Sequence, residues 1–381
     1  MNINFATKKI VIILGAGSTY ADAEVANEYE KPPLDKKFFQ KTHEFINKSK
    51  FALEKKKELL YEFEYIKAYF EIWHGKKICS DKEDSLEKVM SRLFSDVRDE
   101  SLTERPAFQV FIAFLKLFYD VLGETTNNIT ADRNKWLFKI VESYFKKGIK
   151  PENLTIISFN YDIYAEKILV MLPGSFYDPD SKVFVFQHCY DLNLVTSDFT
   201  RPPHPRKGWF PMYPKIKKGG VRVLKLHGSL NWYSVFPFKK IDLDEMFNRE
   251  RLLKVSDEKE IYSNKLKYRT REGNLFYTLP VIVPPIHKKS ETYHSKILVL
   301  WHNAKEALST TDELLIYGYS CPSLDSDSKN LLKKSIKSNK KIQKISVIDP
   351  DPTIFDRYNK LFASKRIQYF QDSESFLEEI G

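Results

Sequence analysis

Five short segments of the chain hold residues able to do chemistry, each just after an apolar run. The first is Gly15-Ala16-Gly17-Ser18-Thr19, which follows the run from Ile10 to Leu14. Small residues at such a turn let backbone N–H groups approach a pyrophosphate at a helix start. The full dinucleotide fingerprint has a third glycine where this chain has Tyr20, and an acidic residue about twenty positions on at a strand end. Asp35 has that spacing but follows Pro32 and Pro33, so a tight turn without a ligand is the plainer alternative.

The second segment, Ser158-Phe159-Asn160-Tyr161-Asp162, ends the run that starts at Leu154. Asn160 can hydrogen-bond a ribose or hold a water, and Asp162 can support a pocket or simply cap the next helix. In the third, Lys225-Leu226-His227-Gly228-Ser229, a strand delivers a histidine beside a glycine. A neutral imidazole opening on a cleft suits general-base work, although a lone histidine is more often structural. The fourth and fifth are Gly318-Tyr319-Ser320 and Ile348-Asp349-Pro350-Asp351. Each alone could be a turn, but several such termini on one sheet edge make a nucleotide pocket.

The elements that must position these residues are legible in the patterning. The β-branched run from Ile10 to Leu14 reads as a strand buried on both faces in a parallel sheet. From Asp35 to Lys147 the period is helical: Leu59, Phe63, Ile66, Phe70 and Trp73, then Phe108 to Leu122 and Trp136 to Phe145. Strands are expected at Leu154 to Ser158, Val183 to Phe186, Val221 to Leu226 and Val281 to Val283. The last third alternates: strands at Leu314 to Tyr317, Ile345 to Ile348 and Ile367 to Phe370, helices at Ser326 to Ile336 and Thr353 to Phe362. The expectation is an α/β fold, a Rossmann-like doubly wound parallel sheet forming a single domain over 1–381. Its core comprises 1–34 and 148–381, with a large helical insertion at 35–147.

Composition narrows the function classes. The 381 residues are 42% hydrophobic and 29% charged, with 28 Phe and 21 Tyr, which excludes disorder over most of the length. Apolar runs fall far short of the roughly 20 residues of a membrane span, and the amino-terminal run ends in glycines rather than a secretory cleavage site. Cys79, Cys189 and Cys321 are scattered and form no C-x-x-C pair, so neither a disulfide framework nor a cysteine zinc site is expected, and a reducing cytoplasm fits. His287 and His294 have no partner spacing that suggests a metal. The net charge of +10 favours polyanionic partners, but the lysine groups alternate with acidic residues, as solvated faces do, so nucleic acid is only weakly supported.

The order of the motifs resembles the sirtuin series G-A-G-x-S, T-Q-N-x-D, H-G, G-T-S and I-N over nearly the whole chain, and is most similar to the bacterial SIR2-like NAD hydrolases of anti-phage defence. Those enzymes also carry a helical insertion after the glycine motif, and Pro32-Pro33-Leu34 is similar to that branch. The resemblance implies a sirtuin-like fold, with NAD as substrate and hydrolysis to nicotinamide and ADP-ribose. It implies catalytic Asn160 and His227 with Asp162 in support, and NAD held by Gly15, Ala16, Gly17, Thr19, Ser158, Gly318, Ser320 and Asp349. It further implies a homo-oligomer, or a HerA-type ATPase partner. Sirtuin deacylases place a four-cysteine zinc module between the H-G motif and the next Pro-led strand, whereas residues 236–278 contain no cysteine, so no zinc is expected. Phe159 replaces the sirtuin Gln and Asp349 the Asn of I-N, which speaks against acyl-lysine chemistry. The alternatives are a non-catalytic NAD- or ADP-ribose-binding regulatory subunit and an effector acting on nucleic acid through its basic surface.

Overall fold

A computed structural model describes residues 7–23, 27–49, 51–78, 85–99, 106–172, 220–237, 275–286, 295–322, 325–363 and 365–380, and three-residue strands at 176–178, 183–185, 188–190, 195–197, 253–255 and 267–269. The strands in chain order are β1 (Ile10–Leu14), β2 (Leu154–Ser158), β3 (Phe176–Asp178), β4 (Val183–Val185), β5 (His188–Tyr190), β6 (Val195–Ser197) and β7 (Val221–Lys225). They continue with β8 (Gly228–Pro237), β9 (Leu253–Val255), β10 (Lys267–Arg269), β11 (Leu275–Ile282), β12 (Glu313–Tyr317), β13 (Lys344–Ile348) and β14 (Ile367–Phe370). Seven of them make one parallel sheet in the order β14-β13-β12-β1-β2-β7-β5.

This is a doubly wound α/β fold. From β1 the chain winds outward through β2 and β7, then returns to the other side of β1 and winds outward again through β12, β13 and β14. The order of the strands therefore reverses between β1 and β12, which makes their carboxyl ends the topological switch point of the sheet. The registers place Leu14 beside both Ser158 and Tyr317, Ser158 beside Lys225, and Tyr317 beside Ile348. All five motifs thus leave the sheet at one edge.

The strands are what their sequences dictate. Every residue of β1, β2 and β12 is buried, as required of strands covered on both faces. The flanking helices are α1 (Ala16–Ala21), α6 (Trp136–Lys146), α7 (Tyr164–Val170), α8 (Ser295–Thr310), α9 (Ser326–Ser338), α10 (Pro352–Leu361) and α11 (Ser373–Ile380). α8 packs on α9, and α6 on α11 and α7.

The remaining helices, α2 (Phe38–Lys48), α3 (Leu53–His74), α4 (Leu86–Arg98) and α5 (Ala107–Asn127), gather round a second core rich in phenylalanine. That core reaches the sheet through Ile282, Ile286 and Tyr161. α6, helical as expected, packs with the sheet core instead. Among the described residues no helix is long and apolar enough to cross a membrane.

Two expected strands belong elsewhere. Val183 to Val185 pairs with β3 in a two-stranded ribbon, and Val281 and Ile282 end β11, which runs antiparallel to β8 in a five-stranded sheet of order β10-β11-β8-β9-β6. The cause lies at Gly228, whose φ of +80° turns the chain out of β7 and straight into β8. A Cβ there would lie 2.9 Å from Ile282 Cα, so the chain can start the second sheet at this point only with glycine.

Candidate functional site

The glycine motif locks onto the turn after β12. The Gly15 N–H donates to the Tyr317 carbonyl at 3.1 Å and the Gly17 N–H to the Gly318 carbonyl at 2.9 Å. A Cβ on Gly17 would stand 2.9 Å from Gly318 Cα, and one on Gly318 would run into the Ser18 nitrogen. These glycines are required by backbone-on-backbone packing, and two of their N–H groups are committed to it. Ala16 is exposed at the outside of the turn, whereas Ser18 and Thr19 are buried.

Beneath this turn a chain of hydrogen bonds joins the segments after β1 and β2 and reaches Lys225 of β7. Asn160 Nδ2 donates to the Gly15 carbonyl at 2.9 Å and to Thr19 Oγ1 at 3.2 Å, and Thr19 Oγ1 donates to Asp162 Oδ2 at 3.1 Å. The Asn160 N–H donates to Ser158 Oγ at 3.1 Å. Asp162 Oδ1 accepts the Tyr164 N–H at 3.0 Å, at the start of α7. The Asp162 carbonyl accepts from Lys225 Nζ, which also pairs with Glu166 at 3.0 Å. Lys225 is fully buried in β7. Burial pushes the Asp162 carboxyl above the usual aspartate range, while the Lys225 charge pulls it back.

His227 stands beside this network, 4% exposed. Its Nδ1 lies 3.1 Å from the Phe159 carbonyl, which can only accept, so Nδ1 carries the hydrogen. The ring is bounded by Phe159, Tyr161 and Trp301 at centroid distances of 5.3, 5.8 and 6.4 Å. Tyr161 in turn meets Phe118 of α5 edge-on at 5.0 Å, and Tyr319 stacks on Phe159 at 4.2 Å. Nε2 faces the buried carboxylate of Asp325, with Oδ2 at 3.6 Å.

The other two motifs lie farther along the same sheet edge, after β12 and β13. Gly318 is tied to β13 by its N–H, which donates to the Ile348 carbonyl at 3.0 Å. Ser320 is exposed, and its carbonyl accepts from Arg357 of α10. Asp349 is half-buried; its Oδ1 accepts the Asp351 N–H at 3.0 Å, and burial pushes its carboxyl up. Cys321, with φ +48°, is the one non-glycine residue in left-handed backbone among the described residues.

The structure therefore brings Gly15, Gly17, Thr19, Ser158, Asn160 and Asp162 into one network, places Gly318 against it and His227 next to it, and leaves Ala16, Ser320 and Asp349 at its outer rim. Sequence reasoning missed Asp325, Tyr319 and the buried Lys225–Glu166 pair. A signal existed for the first: Asp325 immediately precedes the expected helix at Ser326 and caps it. Among the described residues no three metal-ligating side chains cluster. Cys79, His287 and His294 lie outside the described residues, as does most of the cysteine-free interval 236–278.

The fold and site together define a doubly wound α/β protein with a buried polar centre at its switch point. No family model matches the chain, and no curated protein matches it. Solved structures with a similar arrangement include a Sir2 homologue variant in complex with ADP-ribose, 13% identical, with a TM-score of 0.41 over 99% of this chain and 92% of that one. A structure addressing sirtuin substrate affinity is 12% identical, with a TM-score of 0.39 over 98% and 91%. A Sir2 homologue–NAD complex is 12% identical, with a TM-score of 0.36 over 71% and 73%. Superpositions this loose assign no residue a role.

Proposed function

We propose that this protein hydrolyses the nicotinamide N-glycosidic bond of NAD, giving nicotinamide and ADP-ribose, and that it serves in the cytoplasm as an anti-phage effector that depletes NAD. The observation that carries this reading is the gathering of Asn160, Thr19 and Asp162 into one buried network at the switch point, with His227 beside it. Nicotinamide bound to ribose carries a positive ring and leaves readily, so the protein's tasks are to hold the ribose, stabilise an oxocarbenium-like transition state and admit a water. With Nδ1–H fixed by the Phe159 carbonyl, Nε2 of His227 is the basic nitrogen and would take the proton of a water or a ribose hydroxyl.

Both hydrogens of the Asn160 amide are engaged by Gly15 and Thr19, which leaves its oxygen to accept from a ribose hydroxyl or the water. Asp162 supports this arrangement through Thr19. The pyrophosphate would lie against Gly15, Ala16 and Gly17, where the lack of large side chains permits close approach. Ser158 and Thr19 would line that floor, and Gly318, Ser320 and Asp349 would receive the phosphate and adenosine side.

The test is the product profile of NAD incubated with purified protein. His227→Ala and Asn160→Ala should each lower cleavage by roughly a hundredfold or more, and full activity in both variants with normal melting would remove the site from consideration. The near-complete burial of Asn160 and His227 favours a second reading, a regulatory subunit that binds NAD or ADP-ribose without turnover. Calorimetric binding with no product would select it. Exposed Leu53, Tyr61, Ile72 and Trp73 on α3, with Leu298 and Val299 on α8, support activity that depends on assembly, either with copies of the chain or with a HerA-type ATPase. A species shown by light scattering to stay monomeric while turning over at full rate would exclude that dependence.

A further inference from the structure

Asp325 caps α9, accepting the Ser328 N–H at Oδ1 over 3.3 Å. Capping requires only one oxygen and is commonly done at the surface. This residue is 2% exposed, and its second oxygen turns inward, accepting the Tyr319 hydroxyl at 3.1 Å and facing His227 Nε2 at 3.6 Å. The opposite ring nitrogen already gives its hydrogen to the Phe159 carbonyl. The imidazole therefore lies between two acceptors, surroundings that favour the ring once Nε2 has taken a proton.

Tyr161, Tyr319, Trp301 and Lys225, the other polar groups near the ring among the described residues, are engaged otherwise. Tyr161 and Tyr319 are kept neutral by burial and by the negative charge of Asp325 itself, which push their hydroxyls well above the usual tyrosine range. The Tyr161 hydroxyl donates to the Val283 carbonyl at 2.9 Å, and Trp301 Nε1 to the Leu226 carbonyl at 3.0 Å. Lys225, two residues along the chain, is committed to Glu166 and the Asp162 carbonyl.

We propose that Asp325 is a positioning residue that acts through His227, stabilising the imidazolium formed when Nε2 takes a proton. This rests on the NAD-cleaving role of His227 argued above. In that reaction a water oxygen bonds to the anomeric carbon while the electron pair of the C–N bond leaves with nicotinamide, neutralising its ring. The water's proton passes to Nε2, and the resulting cation lies against Asp325 Oδ2, closing a gap longer than a hydrogen bond into an ion pair. A residue that served α9 alone would do none of this.

Asp325→Asn separates the two roles, because asparagine caps a helix as well as aspartate does and still accepts from Tyr319, but carries no charge. The ring titration of His227, followed by NMR with isotope-labelled histidine and assigned by its absence from His227→Gln, should move to lower pH in Asp325→Asn. The acid limb of NAD cleavage should move the same way, with the plateau rate down by roughly ten- to a hundredfold. An unmoved titration, with activity lowered equally at every pH, overturns the proposal. The NMR result needs no turnover, so failure of the NAD-cleaving reading is seen separately. Tyr319→Phe supplies a second variant should Asp325→Asn not fold. It keeps the stacked ring and the carboxylate but removes one donor from Oδ2, so the His227 titration should move to higher pH. A titration unchanged or lowered there also overturns the proposal.

Discussion

The parallel sheet and the α2–α5 layer are both tightly buried, but with different residues and different uses of charge. The strands of the sheet core are mainly aliphatic, as at Ile10, Ile12, Ile156, Val223 and Leu315, whereas the helical core interlocks Phe38, Phe39, Phe114 and Phe118 at ring distances of 5.4 to 6.1 Å. Buried carboxylates in the helical layer tie one helix to another: Asp120 pairs with Lys55 at 2.7 Å, and Asp96 accepts from Tyr69 at 2.8 Å and pairs with His74 at 2.6 Å. Those at the sheet edge instead connect loops with one another through side chains and carbonyls. The lesson is one of place: bonds between side chains of packed helices make a scaffold, whereas bonds that join loops at a sheet edge hold polar atoms where a ligand could reach them.

Gly75 and Gly318 put this contrast to its hardest test, because both have φ +61°. Around Gly75, at the end of α3, an added Cβ meets nothing within 4 Å, while at Gly318 it collides with the backbone of Gly17 and Ser18. Gly75→Ala should cost about 1–2 kcal/mol, the price of left-handed backbone alone. Gly318→Ala should exceed about 4 kcal/mol or abolish cooperative unfolding. Urea denaturation compares the two, and equal losses would break the distinction.

A smaller effect is expected at Lys225. Lys225→Met strands Glu166 and the Asp162 carbonyl in the interior and should cost about 3–5 kcal/mol, much of it recovered by adding Glu166→Leu. On the exposed face of α2, Lys48→Ala, which breaks the pair with Glu44, should cost under about 0.5 kcal/mol. Thermal melts of the four proteins check this, and an uncorrected double variant would mean that Lys225 acts on more than its ion pair.

The smallest effect is a matter of pH. Burial raises the folded-state pKa of Asp349 above its unfolded value, so the folded protein keeps that proton to higher pH than the unfolded chain does. The carboxylate therefore detracts from stability at neutral pH, and the deficit fades as pH falls through the raised value toward the ordinary aspartate range. Asp349→Asn should be slightly more stable than the parent at pH 7 and indistinguishable in acid. A constant difference across that range would show that its charge is not what matters.

Periodicity revealed the sheet and the helices because burial on both faces and 3.6-residue spacing leave local marks, as in Ile10 to Leu14 and Leu59 to Trp73. The second sheet left little: only the end of β11, at Val281 and Ile282, read as a strand, and β8 begins at a single glycine. Each motif of the site was visible singly, but the bonds among them were not. Asn160 meets Thr19 across 141 positions, and a contact of that separation has no local pattern. Asp325 escaped notice because its place before the helix at Ser326 marks at most a cap, and only the folded chain shows what its other oxygen faces.

The locking of the Gly15–Gly17 turn onto Gly318 has a consequence for synthesis. β1 is the middle of the sheet, yet its register with β12 begins where Lys9 bonds Asp312, 303 positions away. A ribosome adding roughly 5–20 residues per second takes about 15–60 seconds to cover that interval. Throughout it the first turn lacks the backbone it packs against. The nascent chain thus cannot complete the buried polar network at its switch point until most of it has been made.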